Sequence, residues 1–344
     1  MEHGSEITGQ KFISDHLQFL KKLRPYTLLI AITSGLMVFV FTRLFPVLEE
    51  AKPIADLFLK LLPLFIFTML FLAFSKLDVK QMKPKRWHYL LLLLQASVTT
   101  AIALFLYYNK DCSYAIILKG AIVCIITPTA CAAAVLTGKL GGNESSVTSY
   151  ILLSHVLAAF LVPCLFPLIS DKGEHSFVDE LLHILSQTAP LIGFPLLSAL
   201  FIKYFLKKLN AYIVSISSLS FYLWAITVFA ISAQTFFNIA ASTESSYAIS
   251  LMAATGLFCC IAQFAIGKAA GHVQGQRISA GQGLGQKNML FGTWTALAYL
   301  SDTVAIIPGT YILWQNLVNA WQMSHREKML KIWSKEGKDP YQEK

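Results

Sequence analysis

The chain has 344 residues, 55% of them hydrophobic and only 14% charged, with a mean hydropathy of +0.57. That balance excludes a set of ordinary soluble domains. The net charge of +9 does not indicate a nucleic-acid partner, because the basic residues sit in short loops and tails rather than along one face with interleaved aromatics.

Residues 1–25 carry Glu2, Glu6 and Asp15 with no short apolar core, so no cleavable signal peptide is expected. Ile13, Leu17 and Leu20 recur at helical spacing beside basic residues and predict an amphipathic segment on the cytoplasmic leaflet, with a frayed tail as the alternative. From residue 26 onward, apolar stretches long enough to cross roughly 30 Å of hydrocarbon recur along the chain. Spans are predicted at 26–46, 54–75, 88–108, 114–138, 146–170, 184–206, 211–234, 247–270, 278–300 and 303–322, and a basic cytoplasmic tail at 323–344.

Lysine and arginine crowd one side of this scheme, in the N-terminal segment, at Lys76 to Arg86, at Lys139, at Lys203 to Lys208, at Lys268 and Arg277, and in the tail. The positive-inside rule then puts both termini in the cytoplasm of a plasma membrane, a bacterial inner membrane being the expectation, and the acidic loop at 171–183 outside. Five of the six cysteines (Cys124, Cys131, Cys164, Cys259 and Cys260) lie inside apolar runs, with neither disulfide nor zinc spacing, so no metal or cofactor is expected.

Two spans are interrupted. The fourth contains Thr127-Pro128-Thr129-Ala130, where proline removes a backbone donor and should kink or unwind the helix. The ninth contains Gly281-Gln282-Gly283-Leu284-Gly285-Gln286-Lys287-Asn288, and the break is predicted at Gly281–Gly285. Each break is fourth in a set of five spans. The chain therefore divides into five-helix repeats at 26–170 and 184–322, joined by the external linker 171–183. Five is odd, so the repeats are inverted, and matched breaks in inverted halves point to a transport site at the bilayer midplane. The fold class expected is an all-α membrane protein of about ten helices in two inverted repeats, with helices 4 and 9 crossing at mid-membrane. Gln95 in span 3 and His155 in span 5 are weaker candidates, since either residue type also serves as a hydrogen bond between helices.

At spans 3, 4 and 9 the sequence resembles the bile acid:sodium symporter family. That family's fourth span reads Cys-Pro-Gly-Gly-x-x-Ser-Asn, where this chain has Thr127-Pro128-Thr129-Ala130-Cys131-Ala132-Ala133-Ala134. Its ninth span reads Arg-x-x-x-x-Glu-x-x-x-Gln-Asn, where this chain has Arg277, Gln282, Gln286 and Lys287 at matching offsets. Gln95 looks like its third-span glutamine. The resemblance implies a panel of spans 1, 2, 6 and 7 rocking against a core of spans 3–5 and 8–10, with a small or amphipathic organic anion bound between them. The departures fall where the family holds sodium, at Ala133, Ala134, Gln282 and Lys287 in the coupling-ion region that also includes Gln286.

The function expected is therefore secondary transport of an organic anion without sodium, Lys287 replacing the coupling cation. Thr127, Thr129, Gln286, Lys287 and Asn288 are the expected substrate contacts, and Gln95 and His155 secondary ones. A lysine near the bilayer centre costs at least ~2.5 kcal/mol, so it must face a polar cavity, pair with an anion or give up its proton, which leaves proton coupling open beside uniport and exchange. Alternatives are a sodium symporter with altered ligands and a membrane sensor. An intramembrane enzyme has no His-Glu-x-x-His, paired aspartates or Gly-x-Ser-x-Gly to rest on.

Overall fold

The computed structural model describes residues 27–45, 57–58, 60–76, 83–170, 176–217, 219–336, 339 and 341–343. The predicted amphipathic segment at 1–25 lies outside them. Among the described residues every regular element is helical. Eight helices in chain order are α1 (Thr27–Leu44), α2 (Leu62–Phe74), α3 (Arg86–Tyr108), α4 (Ala115–Ile126), α5 (Ala132–Leu140), α6 (Glu144–Ile169), α7 (Phe177–Phe205) and α8 (Lys207–Ser215). They are followed by α9 (Leu219–Ala241), α10 (Ser246–His272), α11 (Arg277–Gly285), α12 (Met289–Tyr299) and α13 (Asp302–Lys335). Helix α3, α6, α7, α10 and the segment Tyr222–Ala241 of α9 are long and apolar enough to cross a membrane.

The burial pattern is that of a membrane protein. Leu93, Phe160, Phe205 and Phe258 stand exposed on the outside, while Gln95, His155, Gln286, Lys287, Gln315 and Asn319 are buried. In water the first set would seek cover and the second would stay outside; in lipid the ordering reverses.

Helix starts follow short polar caps: the side chains of Asn143, Ser176, Ser245 and Ser301 each accept from the N–H three residues on. Helix α5 ends at Gly141, whose φ of 87° favours glycine, with Gly142 N–H returning to the Thr137 carbonyl at 2.8 Å. Prolines 163, 167, 190, 195 and 308 lie within helices, a tolerance usual for membrane segments.

Some boundaries differ from expectation. The cap at Ser176, with Asp179 and Glu180 in the first turn, starts α7 well before residue 184. The predicted span 211–234 is divided between α8 and α9. The tail is helical as far as Lys335, and its end docks back on the bundle. There the Arg326 guanidinium donates to the Tyr341 carbonyl at 2.6 Å, and Glu343 N–H donates to the Gly141 carbonyl at 2.8 Å. The Glu343 carboxylate accepts from the N–H groups of Ile278 and Ser279 at 2.5 and 3.0 Å and from the Ser279 hydroxyl at 2.6 Å. An anion is thus seated at the positive end of α11.

Helix α1 packs on α9, and α2 on both α7 and α9; α3, α4, α6, α10, α11 and α13 make an assembly that meets them through α6 on α7 and α13 on α9. Within it α10 and α11 lie closest, because glycines remove side chains from the seam. A Cβ on Gly267 or Gly271 would strike the backbone of Ala280 or Gln276. The Gly-x-x-x-Gly spacing gives van der Waals contact that larger residues would forbid.

Two outcomes follow from this packing. Gly267→Leu should destabilise the protein by the ~1–3 kcal/mol typical of overpacking, read as a fall in the thermal midpoint in detergent, whereas Gly193→Leu, which faces open space, should not. Glu343→Gln should speed hydrogen exchange of the Ile278 and Ser279 amides while leaving exchange in α6 unchanged, since it weakens one charge-assisted cap and nothing else.

Candidate functional site

The centre of the molecule is built by one missing hydrogen. Pro128 has no N–H to give the Cys124 carbonyl, so α4 stops at Ile126. The next donor, Thr129 N–H, turns instead to the Ser154 hydroxyl at 3.1 Å and leaves the Ile125 carbonyl unbonded within its own helix. Both carbonyls then recruit side chains from neighbouring helices. Cys124 accepts from the Gln263 amide at 3.2 Å, and Ile125 from the Gln95 amide at 2.7 Å and the Lys287 ammonium at 3.0 Å.

The second interruption lies at Gln286–Asn288, between α11 and α12, and corrects the break predicted at Gly281–Gly285. Those glycines are helical. They are small because neighbours press on them: a Cβ at Gly283 would sit 3.1 Å from Trp87 and Tyr150, and one at Gly285 would strike the Phe264 ring. The glycines permit close packing, and the chain leaves the helix only where the polar residues after them find partners.

Those partners belong largely to the other interruption. Ala130 N–H donates to the Gln286 carbonyl at 2.9 Å, and Asn288 N–H to the Pro128 carbonyl at 2.8 Å, which makes Thr129 and Lys287 an antiparallel bridge. The Thr129 hydroxyl closes α11 by donating to the Gly283 carbonyl at 2.6 Å, and the Tyr311 hydroxyl donates to the Gly285 carbonyl at 2.9 Å. Two helix C-termini, α4 and α11, therefore end against one short two-stranded crossing, and the N-termini of α5 and α12 leave from it.

Lys287 is only 1% exposed. Its peptide is held on both sides by one side chain, with N–H donating to Gln315 Oε1 at 2.9 Å and Gln315 Nε2 donating to its carbonyl at 3.2 Å. Its ammonium lies at the negative end of α4, where a cation is favoured by up to ~2 kcal/mol in partly buried settings. No carboxylate assists it: among the described residues Glu343 is the only buried acid, and it sits at the opposite end of α11.

Other predicted residues are distributed as follows. Gln95 joins the crossing and accepts from the Tyr150 hydroxyl at 2.6 Å. The Thr127 hydroxyl is turned into its own helix, donating to Val123 at 2.6 Å. The Gln286 side chain accepts from Asn319, which in turn accepts from the Gln282 amide at 3.0 Å, leaving Gln282 Oε1 buried without a partner. Asn288 is half-buried and caps α12. Ala133 is fully buried and Ala134 partly so; neither offers an oxygen ligand beyond its backbone.

His155 is not brought to the crossing by any bond. Its Nδ1 pairs with the Ile151 carbonyl of its own helix at 2.8 Å, its ring stands edge-on to Phe74, and its Nε2 is unpartnered.

Sequence reasoning missed Gln263, Tyr311, Gln315 and Asn319, although Gln315 and Asn316 each lie one turn before Asn319 on α13, a readable signal. It also missed Lys119, a second buried lysine, on α4.

No protein-family model matches the chain, and no curated protein does either.

Gln315→Leu strands the N–H and C=O of Lys287 in an apolar interior. It should reduce stability by about 1–3 kcal/mol for each group left unpaired, read as a fall in the detergent thermal midpoint. Lys287→Met, which removes a buried charge and keeps much of the volume, should cost less or raise the midpoint.

Proposed function

We propose that the protein is a secondary transporter of a small or amphipathic organic anion. It would work by alternating access, in the manner of the bile acid:sodium symporter family, with Lys287 in place of the coupling cation. The observation that carries this reading is the Lys287 ammonium, buried and 3.0 Å from the Ile125 carbonyl at the C-terminus of a broken helix, where a bound cation would otherwise be stabilised.

Ten spans in two inverted five-helix repeats are part of the proposal, with α4–α5 and α11–α12 as spans 4 and 9. Its support is that several of the contacts come in pairs related by exchanging the halves. Helix α1 on α9 matches α7 on α2, α3 on α6 matches α10 on α13, and α4 on α13 matches α11 on α6. The clamps match as well. Ser154 accepts from the peptide N–H of Thr129 and Gln315 from that of Lys287. The helices α1, α2, α7 and α9 would form the panel that rocks against the rest, in a plasma membrane with both termini cytoplasmic.

The substrate site then lies on the panel side of the crossing, where the N-termini of α5 and α12 offer first-turn N–H groups and half-buried Asn288 offers its side chain. The Thr127 and Thr129 hydroxyl protons are already committed to carbonyls, so these residues would shape the crossing more than they contact an anion. Lys287 supplies positive potential from behind. Sodium binding is disfavoured on charge: a second cation beside a fixed ammonium, with Gln282 where the family has glutamate, has nothing to offset the repulsion.

A thermal-shift screen against organic acids would select the substrate, since ligands that bind only the folded state raise its midpoint. Uptake of that acid into proteoliposomes should persist when choline replaces sodium and should fall at least about tenfold in Lys287→Asn, the loss expected for ~1.4 kcal/mol. Strict sodium dependence, or full uptake by the variant, would refute the reading. An acid that binds without being accumulated would identify a sensor instead.

A further inference from the structure

Away from the panel, α10, α11 and α13 enclose a cleft of about 680 Å³ that the transport reading does not use. Lys268, Arg277 and the imidazole of His272 line it, and among the described residues no acid does. They lie near the C-terminal end of α10 and in the first turn of α11, the end of the bundle at which the tail docks.

The arrangement is built rather than incidental. Gly281 has no side chain where the Lys268 stem passes, and a Cβ there would come within 2.6 Å of Lys268 Cγ, so the glycine makes the space in which the stem lies. Lys268 Nζ stands 5.9 Å from the centroid of the Trp321 ring, which is 64% exposed and stacks on His325. Lys268 and Arg277 line the same cleft from successive helices. Two like charges are held together facing outward with no carboxylate between them, an arrangement that an anion would relieve.

The rest of the wall says which kind of anion. Below the cations the cleft is lined by Ile261, Phe264 and Val318, and Ile261 is itself half exposed on the lipid-facing surface. A soluble phosphate would use the cationic rim and leave this wall bare. A phospholipid fills both, headgroup on the rim and acyl chain on the wall, with the tryptophan at the interface between them. Basic pockets between membrane helices at the cytoplasmic end hold anionic headgroups by the same division.

We propose that this cleft binds one anionic phospholipid, its phosphate held by Lys268, Arg277 and His272 and one acyl chain lying along Ile261, Phe264 and Val318. Because Arg277 begins α11, the lipid is attached to the helix that leads into the crossing. The site depends on the chain being a membrane protein and not on what the chain carries.

The test uses the full chain reconstituted in phosphatidylcholine vesicles containing phosphatidylglycerol brominated on its acyl chains, a contact quencher of tryptophan. Quenching should exceed that by brominated phosphatidylcholine at equal mole fraction, and the excess should vanish in Trp321→Phe. Lys268→Gln and Arg277→Gln should each weaken the preference about fivefold, the factor for ~1 kcal/mol per basic residue at a membrane surface. Added inorganic phosphate should not displace the lipid. Equal quenching by the two lipids in the unmodified protein overturns the proposal without reference to any variant, as does displacement by phosphate, which would make the rim a free-anion site. No substrate is present, so the outcome is independent of whether the protein transports anything.

Discussion

The centre of this molecule depends on how the carbonyls of Cys124, Ile125 and Gly285 are satisfied once the helices beneath them end. Inside a membrane no water is available to accept the task, and an unpaired carbonyl costs several kcal/mol. The chain answers by bringing amides and a hydroxyl from three other helices, Gln95, Gln263 and Tyr311, and one ammonium, Lys287, while Thr129 within the crossing takes the Gly283 carbonyl. Each of those side chains is buried because its partner is, and each partner is exposed from its helix because Pro128 or the turn at Gln286 made it so. Removing the breaks would leave a set of buried polar groups with no purpose; removing the polar groups would leave the breaks unaffordable in lipid.

What could be read from the sequence follows the range of the physics involved. A proline acts on its own helix, so the end of α4 near Thr127 was visible from the residue alone. Glycine is ambiguous: it permits a break and it permits close approach, and only the neighbours decide. Gly283 faces Trp87 and Tyr150, from helices far away in the chain, and Gly285 faces Phe264 of the preceding helix, so nothing local to the glycines tells close approach from a break. The same limit applies to His155, whose polarity was legible but whose partner, the carbonyl one turn back, was not. The row Gln315, Asn316 and Asn319 was legible and passed over, because a span near the chain's end with several amides reads like an interfacial segment until its depth is known. Tail docking through Glu343 could not be read at all, since one carboxylate among many carries no mark of the helix it will cap.

The crossing also explains why so little of it reaches outward. Two backbone hydrogen bonds join the extended segments, and clamps on either side hold Thr129 and Lys287 by their peptides rather than by their side chains. Peptide clamps fix position and leave the side chain free to be chosen for function. At Thr129 the side chain was used to close α11. At Lys287 it was used to carry charge.

On the transport reading proposed above, that charge would set this chain apart from a sodium-coupled carrier. A sodium ion in a broken-helix site arrives and departs, so its gradient can be harvested; an ammonium tethered by its own side chain can do neither. If Lys287 occupies the cation's place, the energy for any uphill movement must come from the substrate's own gradient, from exchange, or from a proton that Lys287 itself gains and loses. The surroundings bear on that choice. The ammonium has three donors, one of which meets the Ile125 carbonyl, and among the described residues its neutralisation rests on the end of α4 and not on a carboxylate. An anion arriving on the panel side would add the counter-charge that the interior lacks, so substrate binding and the charge on Lys287 are linked: whatever stabilises one stabilises the other, by the same free energy in both directions. If the proposed substrate binds there, an anion would be preferred to a neutral analogue of the same shape, the selective charge being the Lys287 ammonium at the end of α4.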